Sequence, residues 1–278
     1  MKKQTKLDRY RIFAKRKLSA FLKSLEFSRL KGRVNGPKVL VNSIPKAGTN
    51  LLDRVLYEMP GIHFSGRRTL RNVTHTKKAV LRILSNTSRG AYHLAHLEHD
   101  AAIAQRLTEK NFKNFLMVRD PRSVIVSHYK YVTYIDTNHK THAYFKSLKS
   151  DEARLEAVIK GVPGIVEPIE KVFHAFTNWL SEDCMLVRFE DLIGGEGGGS
   201  AEKQLLVIRD AANHLGIALD KDEVTRIASK VFSKKSPTFR SGKIRDWENH
   251  ISIENRQLIK EKLGEWLIEF GYEQDLSW

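Results

Sequence analysis

Residues 38–50, KVLVNSIPKAGTN, constrain this chain more than any other stretch. The apolar run Lys38–Ser43 reads as a strand, Pro45-Lys46-Ala47-Gly48 as a tight loop, and Thr49–Glu58 as a helix. Strand, tight loop and helix start together make a cradle for an anion, because the loop N–H groups and the helix N-terminus converge on one spot. Lys46 adds a full positive charge there, and Thr49 and Asn50 add polar side chains. The plain alternative is an ordinary strand-to-helix turn.

Beyond Pro37, short apolar runs alternate with longer helical stretches. Strands are expected at Lys38–Ser43, Ala91–Leu97, Asn114–Arg119 and Met185–Phe189. Helices are expected at Thr49–Glu58, Asp100–Glu109, Pro121–Val132, Ile165–Ser181, Glu202–Leu215, Asp222–Phe232 and Ile253–Phe270. Such alternation indicates an α/β fold, a mostly parallel sheet covered on both faces, with ligands beyond the carboxyl ends of the strands. Gly194–Ser200 is too glycine-rich for regular structure and is expected to be flexible. Residues 136–150, polar and rich in His and Lys, suit a lid or an acceptor-contacting loop.

The 278 residues, 41% of them hydrophobic, suffice for a sizeable core in one large domain or two small ones. Cys184 stands alone and forms no internal disulfide, which fits a reducing compartment. There is neither a signal-peptide pattern nor an apolar run of spanning length, so a cytoplasmic location is the expectation. Of the net charge of +16, residues 1–35 carry +10, with twelve Lys and Arg against Asp8 and Glu26. Tyr10, Phe13, Ala14, Leu18, Phe21, Leu22 and Leu25 recur at helical steps within that stretch. The division expected is therefore a basic amphipathic segment over residues 1–36 and a single domain over 37–278. The segment has three readings: it packs on the body, lies on anionic lipid, or binds another polyanion. On the second, residues 1–30 place the protein at the inner face of a membrane.

Two further segments add cations. Asn114–Val118 runs into Arg119, and Asp120-Pro121 opens a helix that carries Ser127. A guanidinium with a hydroxyl can hold a phosphate, although Arg119 by itself fits a surface ion pair equally. Later, Phe239-Arg240-Ser241-Gly242-Lys243 leads to Arg245-Asp246-Trp247-Glu248-Asn249, a cationic, pliable loop able to close over a doubly anionic ligand.

Taken together, these segments resemble the sulfotransferases that use 3′-phosphoadenosine 5′-phosphosulfate (PAPS). Pro45–Leu52 is similar to that family's PKxGTxxL motif. Arg119, Asp120, Pro121 and Ser127 match its second motif, Phe239–Asn249 resembles its FRxGxxxDWxN, and Val187–Leu192 its strand ending in Y/F-E-D. The resemblance implies a three-layer α/β sandwich with a P-loop-like nucleotide site. It implies that Lys46, Ala47, Gly48, Thr49 and Asn50 wrap the 5′-phosphosulfate. Arg119 and Ser127, joined by Arg240, Ser241 and Gly242, would hold the 3′-phosphate and so reject ATP. It departs at Leu51, where many members carry an adenine-stacking Trp; Phe239 is the candidate replacement. Arg240-Ser241-Gly242 stands where Arg-Lys-Gly is common, and Arg245 where a Gly usually precedes Asp-Trp.

Sulfuryl transfer to an alcohol needs a base for the acceptor proton and charge stabilisation at the leaving oxygen. Histidine suits the first task, since its ordinary pKa lies near neutrality. Among His93, His96 and His99, the Ala95-His96-Leu97 setting, 23 residues before Arg119, fits the position of the family's base. Lys46 suits the second task. The spacing 93, 96, 99 would also suit a metal on a helix, but the surrounding residues read as strand, and no metal is expected. The acceptor is expected to be polar, a saccharide or glycolipid, because residues 60–90 and 133–165 are rich in Arg, Lys, His and Asn.

Two rivals differ in class. A kinase or NTPase needs Lys directly after the last Gly of its loop, whereas Lys46 precedes Gly48. A nucleic-acid binder would suit a pI near 9.8, but no nucleic-acid motif appears and most of the excess charge is N-terminal.

Overall fold

The computed structural model describes residues 6–23, 25–181, 183–232 and 244–278. They divide into two compact units, one built from the described residues of Ile12–Val118 and Phe176–Ile244, the other from Arg119–Ala175 and Arg245–Trp278 together with residues 6–11. Strands are β1 (Lys38–Ser43), β2 (His63–Phe64), β3 (Leu70–Arg71), β4 (Ala91–His96), β5 (Phe112–Val118) and β6 (Cys184–Arg188). Helices are α1 (Lys6–Lys23), α2 (Phe27–Asn35), α3 (Thr49–Glu58), α4 (Lys77–Ser85), α5 (Ala101–Glu109), α6 (Pro121–Lys130), α7 (His142–Ser147) and α8 (Asp151–Lys160). They continue with α9 (Ile169–Thr177), α10 (Phe189–Leu192), α11 (Ala201–His214), α12 (Lys221–Val231) and α13 (Ile253–Glu269). None of the described helices is long and apolar enough to cross a membrane.

The first unit holds the sheet, in the order β2-β4-β1-β5-β6, with β3 paired to the end of β4. All of these pairings are parallel. Alternation along the strands sends Val39, Val41, Tyr92, Leu94, Phe115 and Met117 into one core shared with α3, α11 and α12. The opposite face takes α5, which pairs with α4. Parallel strands buried on both faces explain the continuous apolar runs of β1 and β5. This is a three-layer α/β arrangement.

The N-terminal segment forms two helices, one face of which docks on this unit. The Arg16 guanidinium bonds the buried Asp53 carboxylate on α3 and lies 3.9 Å from the Phe64 ring centroid. Tyr92 donates to the same carboxylate over 2.9 Å. In α2, a Cβ on Gly32 would lie 1.9 Å from the Gly61 carbonyl oxygen, so the helix backbone rests directly on that turn.

The second unit is helical. Phe173 meets Trp266 edge-on at 4.8 Å, and Trp266 stacks on Phe270 at 4.0 Å. Arg122 is buried between Trp247, 4.1 Å away, and Trp278, 4.6 Å away, and is paired with Asp120 and Glu273. A π-helical turn, Tyr131–Ile135, follows α6, and α7 lies within the polar stretch 136–150 expected to be a lid or an acceptor-contacting loop.

Helix starts follow their caps. Asp120 caps α6 with Pro121 in its first turn, Ser200 caps α11, Ser252 caps α13, and Asp220 with Glu223 forms a capping box on α12. Two expectations are revised. The helix expected from Ile165 begins at Ile169, behind Pro168, and ends in a 3₁₀ turn over Asn178–Ser181. Gly194–Ser200 is an ordered turn rather than an irregular run. Gly194 and Gly198 take positive φ, and a Cβ on Gly194 would lie 2.5 Å from Gln204 Oε1.

Candidate active site

The carboxyl end of β1 carries the site. Asn42 is 2% exposed and Ser43 fully buried, two polar residues closing an apolar strand. The Asn42 amide donates from Nδ2 to the Leu97 carbonyl over 2.7 Å and accepts the Leu97 N–H at Oδ1 over 2.9 Å. Trp179 Nε1 donates to the same Leu97 carbonyl over 2.9 Å. The ends of β1 and β4 are thereby locked in register, Asn42 beside Ala95.

After Ser43 the chain turns tightly. Ile44 N–H donates to the Met117 carbonyl, and Ala47 N–H closes the turn onto the Ile44 carbonyl. Lys46 has φ +73° and Gly48 φ +100°, so two of three consecutive residues sit in the left-handed region. For lysine that conformation is disfavoured, and such strain gathers at ligand sites. Gly48 is required twice over, since a Cβ there would also lie 2.5 Å from the Phe189 ring. Thr49 then opens α3, and Gly48 as N-cap offers no side-chain cap to its first N–H groups. The result fits a polyanionic tail: exposed helix-start donors, a turned backbone and the Lys46 charge.

His96 ends β4 beside this loop. Its Nδ1 lies 2.8 Å from the Ser43 carbonyl oxygen and 3.1 Å from Ser43 Oγ, which in turn meets Thr49 Oγ1 at 2.6 Å. A carbonyl can only accept, so Nδ1 carries the proton and Nε2 keeps its lone pair. Nε2 makes no hydrogen bond among the described residues. Burial, with the Arg71 and Lys46 charges, lowers the His96 pKa to about 4, against the raising effect of the Ser43 carbonyl. The imidazole is therefore neutral at neutral pH and able to accept a proton at Nε2. Its pKa is not the near-neutral value ordinary for histidine.

The structure brings Lys46, Thr49 and His96 into one neighbourhood, with buried Ala47 and exposed Asn50 in the same loop and helix start. His93 and His99 go elsewhere. His93 bonds Thr87, and His99 meets Trp179 edge-on at 5.0 Å. No metal-holding group of three or more His, Cys, Asp or Glu occurs among the described residues. In the helical unit, Arg119 is 8% exposed and stands just before the Asp120 N-cap of α6, on which Ser127 is half-buried. Phe239, Arg240, Ser241 and Gly242 lie outside the described residues. Asp191 pairs with Arg188 and Lys203 at 3.6 Å each.

Sequence reasoning missed two contributors. Asn42 and Ser43 could have been found, because polar residues inside a buried strand need partners. Arg71 falls in the stretch 60–90 expected at the acceptor, but its neighbour was not legible. The two-residue strand β3 sets it, exposed, in register with His96.

Comparisons with known proteins bear on the fold and the family. The family model described as the sulfotransferase domain matches residues 36–271. The mouse sulfotransferase SULT7A1, whose structure is complexed with PAP, superposes with a TM-score of 0.63 at 18% identity. That match covers 84% of this chain and 89% of the mouse chain. Retinol dehydratase, in complex with androsterone and inactive cofactor PAP, superposes with a TM-score of 0.54 at 14% identity, covering 88% of this chain and 85% of its own. A search of curated protein sequences returns no significant match. At such identities the superpositions speak for the fold, and the family model, spanning most of the chain, speaks for descent: this protein is a member of the sulfotransferase family.

Proposed function

We propose that the protein transfers the sulfuryl group of PAPS to the hydroxyl of a polar acceptor, leaving adenosine 3′,5′-bisphosphate (PAP). The observation that carries this reading is the tautomer of His96, its Nδ1–H held by the Ser43 carbonyl and its Nε2 left as acceptor beside the Lys46 loop. The family match and the PAP named for both structural relatives support the choice of donor.

PAPS, when bound, supplies an activated sulfuryl group on a phosphate leaving group. The backbone donors of Lys46–Asn50 hold its 5′ end. His96 Nε2 takes the proton of the attacking hydroxyl. Lys46 would lie beside the 5′ end of bound PAPS and would stabilise negative charge developing on its leaving phosphate. Arg119 and Ser127, with Arg240, Ser241 and Gly242, are assigned to the 3′-phosphate. No metal is assigned, because Lys46 and the backbone donors supply the positive field.

A saccharide or glycolipid acceptor is favoured by Arg71, exposed in register with His96 and able to meet an anionic or hydroxyl-rich substrate beside the base. We assign residues 37–278 to the catalytic domain and 1–36 to an accessory segment, and place the enzyme in the cytoplasm. Calorimetry with PAP, followed by mass spectrometry of products from PAPS with a panel of glycans, glycolipids and phenols, tests the proposal. Measurable PAP affinity and a product 80 Da heavier than a glycan are expected, about the mass of one added SO₃. No affinity for PAP would overturn it, and sulfation of phenols alone would overturn the acceptor class.

A further inference from the structure

Deleting residues 1–30 is the obvious way to learn what the basic N-terminal segment does. The structure makes that deletion ambiguous. Arg16 neutralises the buried Asp53, whose Oδ1 also accepts from Tyr92, so removing α1 strips a buried carboxylate of its counter-charge. The docked contacts are therefore part of the fold, and any further role belongs to the side chains that remain exposed.

Those side chains are unusually apolar for a surface. Ile12, Leu18, Leu22, Leu25, Leu30 and Val34 are all exposed, Leu18 by 61%, Leu22 by 59% and Val34 by 67%. They make up six of the fourteen exposed large hydrophobics among the described residues, within a span of only 23 residues. Lys15 and Lys31 stand exposed among them. A shallow groove of about 520 Å³ runs between α1 and Tyr57 of α3, lined by Lys15, Leu18, Ser19, Leu22 and Glu26. Leucines interleaved with lysines, on short helices held rigidly from behind, match the interfacial boundary of a lipid bilayer. There apolar side chains enter the acyl layer and ammonium groups stay at the phosphates. The net +10 of residues 1–35 selects an anionic surface.

We propose that the exposed face of α1 and α2 docks the enzyme on anionic phospholipid as a preformed platform, lying in the interface and not spanning it. The apolar contact and the charge act together, since neither six separated aliphatic side chains nor a handful of cations gives firm binding alone. The proposal is independent of the sulfotransfer reading, because none of these side chains belongs to the Lys46–His96 site.

The test is flotation of the purified full-length chain with vesicles of phosphatidylcholine alone or with about one-third phosphatidylglycerol, a composition whose negative surface potential attracts basic segments. Wild type should float with the anionic vesicles only, and less so as salt rises. Leu18→Glu/Leu22→Glu and Lys15→Glu/Lys31→Glu should each weaken binding by about tenfold or more while keeping the wild-type melting temperature and PAP affinity. Arg16→Ala serves as the contrast, lowering the melting temperature. Failure of the folded wild type to bind anionic vesicles overturns the proposal. So does unchanged binding by the Leu variant, or a shift of that variant from dimer to monomer in light scattering, which would give the face to a second copy of the chain. Loss of PAP affinity in the wild type would instead count against the catalytic reading alone.

Discussion

The middle of β4 and its carboxyl end each hold a histidine, and the two are used in opposite ways. His93 is 2% exposed. Its Nε2 lies 2.9 Å from Thr87 Oγ1, whose own proton goes to the Ile83 carbonyl over 2.9 Å. Thr87 must therefore accept, which places the His93 proton on Nε2. His96, three residues on, carries its proton on Nδ1 and presents Nε2. Both pKa values fall to about 4, each chiefly through burial. A shifted pKa thus fails to tell the two apart. What distinguishes them is which nitrogen is committed to the fold and whether the ring stands at a strand end, where ligands of such sheets bind.

The comparison can be broken most directly by substitution. His96→Ala should lower kcat by about a thousandfold with PAP affinity intact, the loss expected for a removed general base. His93→Ala should leave kcat within a few-fold and lower the melting temperature instead. Equal losses of kcat in the two variants would erase the distinction. Lys46→Ala comes next, with a fall of about a hundredfold that appears in kcat more than in KM, read from steady-state kinetics.

pH sharpens the contrast. Both imidazoles protonate at about pH 6.5 when unfolded and only near 4 when folded, so the unfolded chain binds more protons between those values. The stability they contribute is complete above pH 6.5 and drains away as the pH falls to about 4. The proposed mechanism needs neutral His96, so activity should hold across neutrality and drop only near pH 4. A rate profile bending at 6.5 would show that His96 titrates as an ordinary imidazole. Gly48→Ala, which meets both φ +100° and the Phe189 ring, should cost about 2 kcal/mol in a denaturation curve. The smallest effect is expected of Thr87→Val, about 1 kcal/mol, from the lost partner of His93 Nε2.

Much of the site can be read in the sequence, because its parts have local causes. The strand Lys38–Ser43 stands where its apolar run ends, and α6 starts where Asp120-Pro121 requires. The parts that escape have none. β2 and β3 are two residues each, too short for any period, and they exist only because β4 offers them an edge. Arg71 reaches His96 by that route. The helices α4 and α8 were detectable, since Thr76 and Ser150 cap them, but basic and polar residues blurred their apolar stripes. The lowered His96 pKa is illegible for a similar reason: a residue's burial is fixed by distant chain, here the loop after β1 that packs beside His96.

The Asn42 amide has a consequence for how this enzyme can change. One planar group spends both its donor and its acceptor on the backbone of Leu97, so the segment proposed to grip the donor and the strand that bears His96 are riveted as a single piece. Neither can be retuned without moving the other. New acceptors must then be won by altering what surrounds that piece, as at the short edge strand bearing Arg71, while the reaction itself is inherited unaltered.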